Sequence, residues 1–421
     1  MARAAAKKSK CLDHQERLDR LAHIAVRVGL NLKRGQDVIV TAPVEGVDLA
    51  RLVVKHAYEA GAGLVTVLYD DEEATLLRYK HAANASFDKA PGWLHDGVAK
   101  AYEQGAGRLA IRGGNPSLLA GQDPAKVSRV NRAQSIAAKP MMERITGFDI
   151  NWTIVPYASA AWARAVFPEA SETTAVRKLW NALFMTTRVD ADDPVAAWSE
   201  HNKQLARRSK WLNQRSFASL HFKGPGTDLT VGLGDGHVWC GGAERAKNGI
   251  VCNPNMPTEE VFTAPHKDRV EGTVTATKPL SYMGTLIEEI AVRFEKGAIV
   301  DAKAKKGGDV LHKVLETDDG ARRLGEVALV PYTSPISKSG LLFYNTLFDE
   351  NAASHIALGQ AYTSTFKDGA AESPARLAGR GANRSLIHID WMIGSNKVDV
   401  DGIAADGSAE PVMRGGEWVS A

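Results

Sequence analysis

The sequence predicts an α/β chain in two parts: an N-terminal α/β domain built on a parallel sheet, then a β-rich α+β domain. In the first half four short β-branched runs, 37–43 (DVIVTAP), 63–70 (GLVTVLYD), 108–114 (RLAIRGG) and 150–156 (INWTIVP), alternate with longer amphipathic stretches. Such alternation makes a parallel sheet, because each parallel pairing needs a crossover that a helix supplies. From about residue 214 the chain instead alternates polar and apolar residues over short runs joined by glycine-containing turns, the pattern of antiparallel strands. At 421 residues the chain exceeds the roughly 100–200 residues of one domain. We place the boundary at 213/214, giving an N-terminal domain 1–213 that includes a helical bridge and a C-terminal domain 214–421.

In chain order, the first ten residues (MARAAAKKSK) read as a disordered tail. Polar CLDHQERLDR follows where a secretion signal would place its apolar stretch, so none is expected. Between the four strand-like runs lie VDLARLVVKHAYEAGAG, KAPGWLHDGVAKAYEQGAG and DPAKVSRVNRAQSIAAKPMMERI, all helical in pattern, the first two closing on a glycine suited to a left-handed cap. After the first strand a dinucleotide fold needs G-x-G-x-x-G, whereas this chain has Thr41-Ala42-Pro43-Val44-Glu45-Gly46, which argues against nucleotide binding. Residues 172–213 turn helical and read as a bridge. FASLHFKG, TDLTVGLGDGHVWCGG, GTVTATKPL and EIAVRFEKGAIVDAKAKKG then read as strands. Gly232, Gly234 and Gly236 stand among strands, so Asp235-Gly236 reads as a hairpin turn and not as a phosphate loop.

Composition narrows the partners. A net charge of +3, with no basic stripe interleaved with aromatics, gives no reason to expect nucleic acid or an acidic membrane. Three scattered cysteines, Cys11, Cys240 and Cys252, make no disulfide framework and suit a reducing cytoplasm. No apolar run reaches the 18 or so residues of a spanning helix.

Chemistry concentrates toward the C-terminus, where Glu350, His355, His388 and Asp390 stand in two apolar runs, 341–362 and 385–394, that contain no Lys or Arg. A carboxylate buried without a countercharge costs several kcal/mol, so the missing bases point to metal ions. In SLIHIDWMI strand alternation puts His388 and Asp390 on one face and Ile387, Ile389 and Trp391 on the other. H-x-D by itself is more often a structural hydrogen bond. In FDENAASHIALGQAY, Asn351 reads as the N-cap of a helix starting near Ala352, with Glu350 just outside it, His355 one turn in and Tyr362 two turns further on the same face. Glu259 and Glu260 should point to opposite faces of any strand, so one alone can act as a ligand. Glu326 opens the apolar run EVALVP, the plain alternative being a salt bridge to Arg322 or Arg323. Two His, one Asp and up to three Glu exceed the three protein ligands of a catalytic zinc and suggest two metals. A set so rich in oxygen leaves zinc, cobalt, manganese and magnesium open.

The segments NPNMPTEEVFTAP, GEVALVPYTSPISKSGLLFYNTLFDENAASHIALGQAY and IHIDWMIGS, with the closing DGI and PVMRGGEW, resemble the thermophilic metallo-aminopeptidase family, whose members are called aminopeptidase T, aminopeptidase S or leucyl aminopeptidase of that type. The resemblance covers nearly the whole chain and is densest from about 230 onward. It implies two divalent ions, zinc or cobalt foremost and manganese or magnesium next, held by Glu260, Glu326, Glu350, His355, His388 and Asp390. It implies Tyr362 as the active-site tyrosine, short peptides with a free N-terminus as substrates, and a homodimer whose catalytic domains enclose a cavity. The choice of Glu260 over Glu259 rests on this resemblance, and Glu259 stays open as a general base. The rival reading is a non-haem iron ring-cleaving dioxygenase that uses His355, His388 and one carboxylate. A non-enzymatic scaffold with a structural metal is a third, although such sites are usually closed and rich in cysteine.

Overall fold

The computed structural model describes residues 12–282 and 284–419; the expected tail and Cys11 lie outside them. Strands β1 (Val38–Pro43), β2 (Val65–Asp70), β3 (Gly107–Arg112) and β4 (Trp152–Pro156) coincide with the four β-branched runs. They form one parallel sheet in the order β2-β1-β3-β4. The helices Val47–Glu59, Gly92–Glu103 and Pro124–Thr146 lie in the connections between them. Gly61 and Gly105, at φ 90° and 93°, take the left-handed positions after the first two. Two further helices, Glu172–Thr186 and Pro194–Arg215, make the bridge. The second runs through the expected 213/214 boundary, with Trp198 in the first of two large apolar cores and Leu205 and Leu212 in the second.

The strands beyond are β5 (Ser219–Gly224), β6 (Thr227–Leu233), β7 (Glu244–Arg245), β8 (Val251–Cys252), β9 (Val261–Thr263), β10 (Pro265–Thr275), β11 (Leu280–Tyr282) and β12 (Thr285–Ile287). After them come β13 (Ala291–Glu295), β14 (Ala298–Lys303), β15 (Leu324–Leu329), β16 (His355–Gly359), β17 (His388–Met392), β18 (Asp399–Ile403), β19 (Ala409–Arg414) and β20 (Glu417–Trp418). Eight form an antiparallel sheet, β14-β13-β10-β6-β5-β18-β19-β20, and four a smaller one, β17-β16-β15-β9. Asp235-Gly236 is a turn but joins no hairpin. The β5–β6 hairpin reverses at Pro225-Gly226. Past Gly236 the chain reaches His237, which bridges Phe366, while Arg380 donates to the carbonyls of Asp235 and Gly236.

One expected element is absent. The run from Ala352 to Tyr362 is not a helix: Thr346–Asp349 is a single turn capped by Asn345, Glu350–Ala352 continue it as a 3-10 turn, and His355–Gly359 is strand β16. β16 has β15 on one side and β17 on the other, so ladder hydrogen bonds and burial on both faces outweigh the helix propensity of its alanines.

This small sheet has one apolar and one polar face. Val327, Leu329, Ile356, Leu358, Ile389 and Trp391 pack into the second core. On the opposite face the register sets Glu326, Ala357 and Asp390 in one row, Ala328, His355 and Met392 in the next, and Gly359 beside His388. Ala328, Ala357 and Gly359 are the small spacers that leave room for the ionisable side chains between them.

The two halves are tied by the segment before β9. Ile154 on β4 donates its N–H to Pro254 O (2.7 Å) and accepts from Met256 N–H (3.0 Å). Further on, Glu259 accepts from the Arg188 guanidinium at 2.7 and 3.0 Å. Its own N–H donates to Asn351 Oδ1 at 2.7 Å. Among the described residues no helix is long and apolar enough to cross a membrane.

Two substitutions test this frame. A Cβ on Gly359 (φ 102°) would meet the Ile387 carbonyl oxygen at 2.1 Å, so Gly359→Ala should lower the unfolding free energy by roughly 2–4 kcal/mol, read from the urea midpoint. Arg188→Met leaves buried Glu259 without its guanidinium and should cost roughly 3–5 kcal/mol, part of which Glu259→Gln in the same chain restores.

Candidate metal centre

Six of the predicted site residues come together on the polar face of the small sheet and the segments beside it. Glu326 is supplied by β15, His355 by β16, and His388 and Asp390 by β17. Glu260 immediately precedes β9, and Glu350 opens the 3-10 turn before β16. His355 Nε2 lies 3.1 Å from Glu260 Oε2 and 3.5 Å from Glu326 Oε1. His388 Nε2 lies 3.8 Å from Glu326 Oε2 and 3.5 Å from Asp390 Oδ1. Five of the six thus fall into two overlapping groups, Glu260–Glu326–His355 and Glu326–His388–Asp390, each with one ligand atom per residue within 4.8 Å of the others. Glu326 belongs to both, one oxygen turned to each side. Glu350 stands outside the two triplets but lines the same cavity.

The alternatives for single residues resolve in the same geometry. Arg323 pairs with Asp268 at 2.8 Å, so the ionic neighbours of Glu326 are the two histidines. Glu259 is turned away, held by Arg188 with His201 Nε2 3.7 Å from its second oxygen, and it lines no part of the cavity. Both histidines have their other ring nitrogen at a backbone carbonyl, His355 Nδ1 3.2 Å from Ala353 O and His388 Nδ1 2.8 Å from Gln360 O. That hydrogen bond places the proton on Nδ1 and leaves Nε2 facing the carboxylates.

Electrostatics shows how the protein alone balances this charge. Burial raises Glu326, opposed by the nearby His355 and reinforced by Asp390. Glu350 is raised well above the ordinary carboxyl range, by burial first and then by Glu260 and Asp390. Burial would strip the histidines of their protons, but the surrounding carboxylates outweigh it, lifting His355 well above its usual value and His388 to about 9. Burial also pulls Asp390 upward, yet His388 beside it holds it low. Among the described residues none of the six pairs with Lys or Arg, so protons fill the place of a cation.

The donor set fits divalent metal. Glu260 Oε2 and His355 Nε2 lie 3.1 Å apart, and both are buried without a hydrogen-bond partner. A buried carboxylate oxygen and a ring nitrogen brought this close suit a shared cation once the imidazole gives up its proton, and imidazole with carboxylate suits zinc, cobalt or manganese.

The polar face opens on a cavity of about 300 Å³ between the two halves. Tyr362 stands at its side, its ring 4.8 Å from that of His388, with 44% of its surface open. It follows β16 in a loop, so it shares the site with His355 by chain reversal and not by a helix face. Burial, then the charges of Glu326 and Asp390, raises its phenol, which stays protonated. Opposite the carboxylates the first domain contributes Ile145, Phe148, Trp152 and Ile154. Two lining residues have no counterpart in the sequence reading: Arg108, and Glu244, whose carboxyl is pushed up to about 7 by burial and then by Glu260 and Glu326. Glu244 sits in GGAERAKNG, which has the look of an exposed loop, and Arg108 in an ordinary strand, so no local signal marks either.

The profile of the thermophilic metalloprotease (M29) family matches residues 14–418. Aminopeptidase T of Thermus thermophilus is 55% identical over 402 residues, covering 96% of this chain and 98% of that one. Aminopeptidase AmpS of Bacillus subtilis is 45% identical over 403 residues with the same coverage. The solved structure of wild-type AmpT from Thermus thermophilus superposes with a TM-score of 0.92 at 53% identity, over 97% of this chain and 100% of that chain. A profile match from end to end, close relatives and a shared fold agree: the chain belongs to the thermophilic metalloprotease (M29) family and is a peptidase, a metal-dependent hydrolase of peptide bonds.

Proposed function

We propose that this peptidase is an aminopeptidase that releases the N-terminal residue of short peptides at a dinuclear metal site. The observation that carries the reading is the sharing of Glu326 between two ligand triplets. Glu260 and His355 would hold one divalent ion, His388 and Asp390 the other, with Glu326 between them and Glu350 completing the set. When bound, such a pair supplies a Lewis acid for the scissile carbonyl and a bridging water acidic enough to ionise near neutral pH.

The chain's own residues do the rest. Tyr362, protonated and open to the cavity, donates its hydroxyl to the developing oxyanion, a contribution on the order of 3 kcal/mol for one such donor. Glu259, tied to Arg188, fixes the backbone on which Glu260 stands and takes no proton from substrate. The apolar wall of Ile145, Phe148 and Trp152 receives apolar substrate surface and displaces water. A dioxygenase site built on His355, His388 and one carboxylate would leave the other carboxylates buried without a countercharge, and nothing in the geometry favours it.

A homodimer that closes the cavity fits the restriction to short peptides, and sedimentation at micromolar protein tests it. A cytoplasmic location accords with the free thiols of Cys240 and Cys252, both raised by burial.

Three outcomes are expected. Elemental analysis should give two divalent ions per chain, with leucine released from leucine amide but not from its N-acetyl form; chelation or His355→Ala should abolish turnover, and a fully active His355→Ala variant would rule out the site. Tyr362→Phe should lower kcat about 100-fold with metal content unchanged, and an unaltered kcat removes Tyr362 from the mechanism. The metal-free protein holds protons on His388 up to a pH of about 9 and on Glu350 above the ordinary range, and a ligand must lose its proton to bind metal. Affinity should therefore climb as pH rises toward 9 and fall about tenfold per unit below it for each proton displaced. Calorimetry in buffers of different ionisation heat checks this, and a flat profile would contradict it.

A further inference from the structure

Arg108 lines the cavity with a permanent positive charge that the proposed function leaves unused. It sits on β3 in register with Trp152 of β4, and its guanidinium lies over the Trp152 ring, 5.8 Å from the centroid. Burial is the main influence on it, opposed by the Tyr102 phenol and reinforced by Arg112, and no carboxylate acts on it. The nearby Arg112 has Asp70 at 3.7 Å instead. The Trp152 indole N–H, in the same wall, is also buried without an acceptor. A guanidinium keeps its charge under any ordinary burial. A mostly buried one with no anion is therefore a standing cost, and here it faces the cavity whose other wall is the carboxylate cluster.

We propose that Arg108 binds the C-terminal carboxylate of the substrate, making this a peptidase of short free-acid peptides that span from the metal ligands to the first domain's wall. This rests on the aminopeptidase reading above. The guanidinium fork matches a carboxylate with two parallel N–H donors. The apolar surroundings of Phe148 and Ile145 strengthen that pairing by excluding water. With both ends of the peptide anchored, chain length becomes the selected property, since a longer peptide must either bulge or leave Arg108 unpaired.

The test compares Leu-Gly-Gly with its C-terminal amide, using the metal-loaded full-length enzyme. The free acid should be favoured roughly 10- to 100-fold in kcat/KM, mainly through KM. In Arg108→Gln that ratio should fall to near one, and Arg108→Lys, which keeps the charge but not the fork, should recover part of it and serves if the Gln variant does not fold. A wild-type ratio near one, or a ratio that survives in Arg108→Gln, overturns the proposal. So does an amidated peptide ending in aspartate that matches the free acid, which would assign the site to side-chain carboxylates. Absence of leucine release from either peptide overturns instead the aminopeptidase reading on which this one stands.

Discussion

Four carboxylates crowded around two histidines, on the polar face of a four-stranded sheet and the segments beside it, repel one another, and the rest of this half of the molecule is arranged to endure that. Alanine and glycine alternate with the ionisable residues across the strands, because a larger neighbour would force the carboxylates closer or out of register. Backbone carbonyls take the Nδ1 side of both imidazoles, so the remaining lone pairs can converge. The apolar face behind them, with Trp391 and Leu329, gives the strands a rigid footing in the second core.

The arrangement reaches into the other half as well. Phe343, Phe348 and Ala352, which flank Glu350 in the chain, pack into the first core and not the second. Trp162 of the first domain donates its indole N–H to the Phe343 carbonyl at 2.5 Å. Asn351 connects the two sides of the site by accepting from the Glu259 N–H and donating to the Leu347 carbonyl at 3.0 Å. Site residues are thus positioned by both cores, and the cavity between them inherits one charged wall and one largely apolar wall.

How much of this the sequence discloses depends on the range of the interaction. The four parallel strands are visible because β-branched runs and amphipathic stretches are local patterns, and the common face of His388 and Asp390 follows from strand alternation alone. The cluster of His355, His388 and the carboxylates is legible because ionisable residues without neighbouring bases are conspicuous in apolar runs. β16 was misread as a helix because AASHIALGQA has helical composition, and only its two neighbouring strands, distant in sequence, make it extended. The separation of Glu259 from Glu260 was foreseen in principle, but the direction of each was not, since Arg188 and His201 lie more than fifty residues upstream. Arg108 and Glu244 gave no sign at all, because their meaning comes from what the opposite wall contains.

The hydrogen bonds of Ile154 to Pro254 and Met256 have an effect unrelated to chemistry. They cover the outer side of β4, so that edge of the parallel sheet has no free row of donors and acceptors at Ile154, and the open edge is β2. Sheets invite strand addition and aggregation at unpaired edges. The short segment that delivers Glu260 to the carboxylate cluster therefore also acts as a guard strand, and loosening it would bare a surface on which another chain could pair.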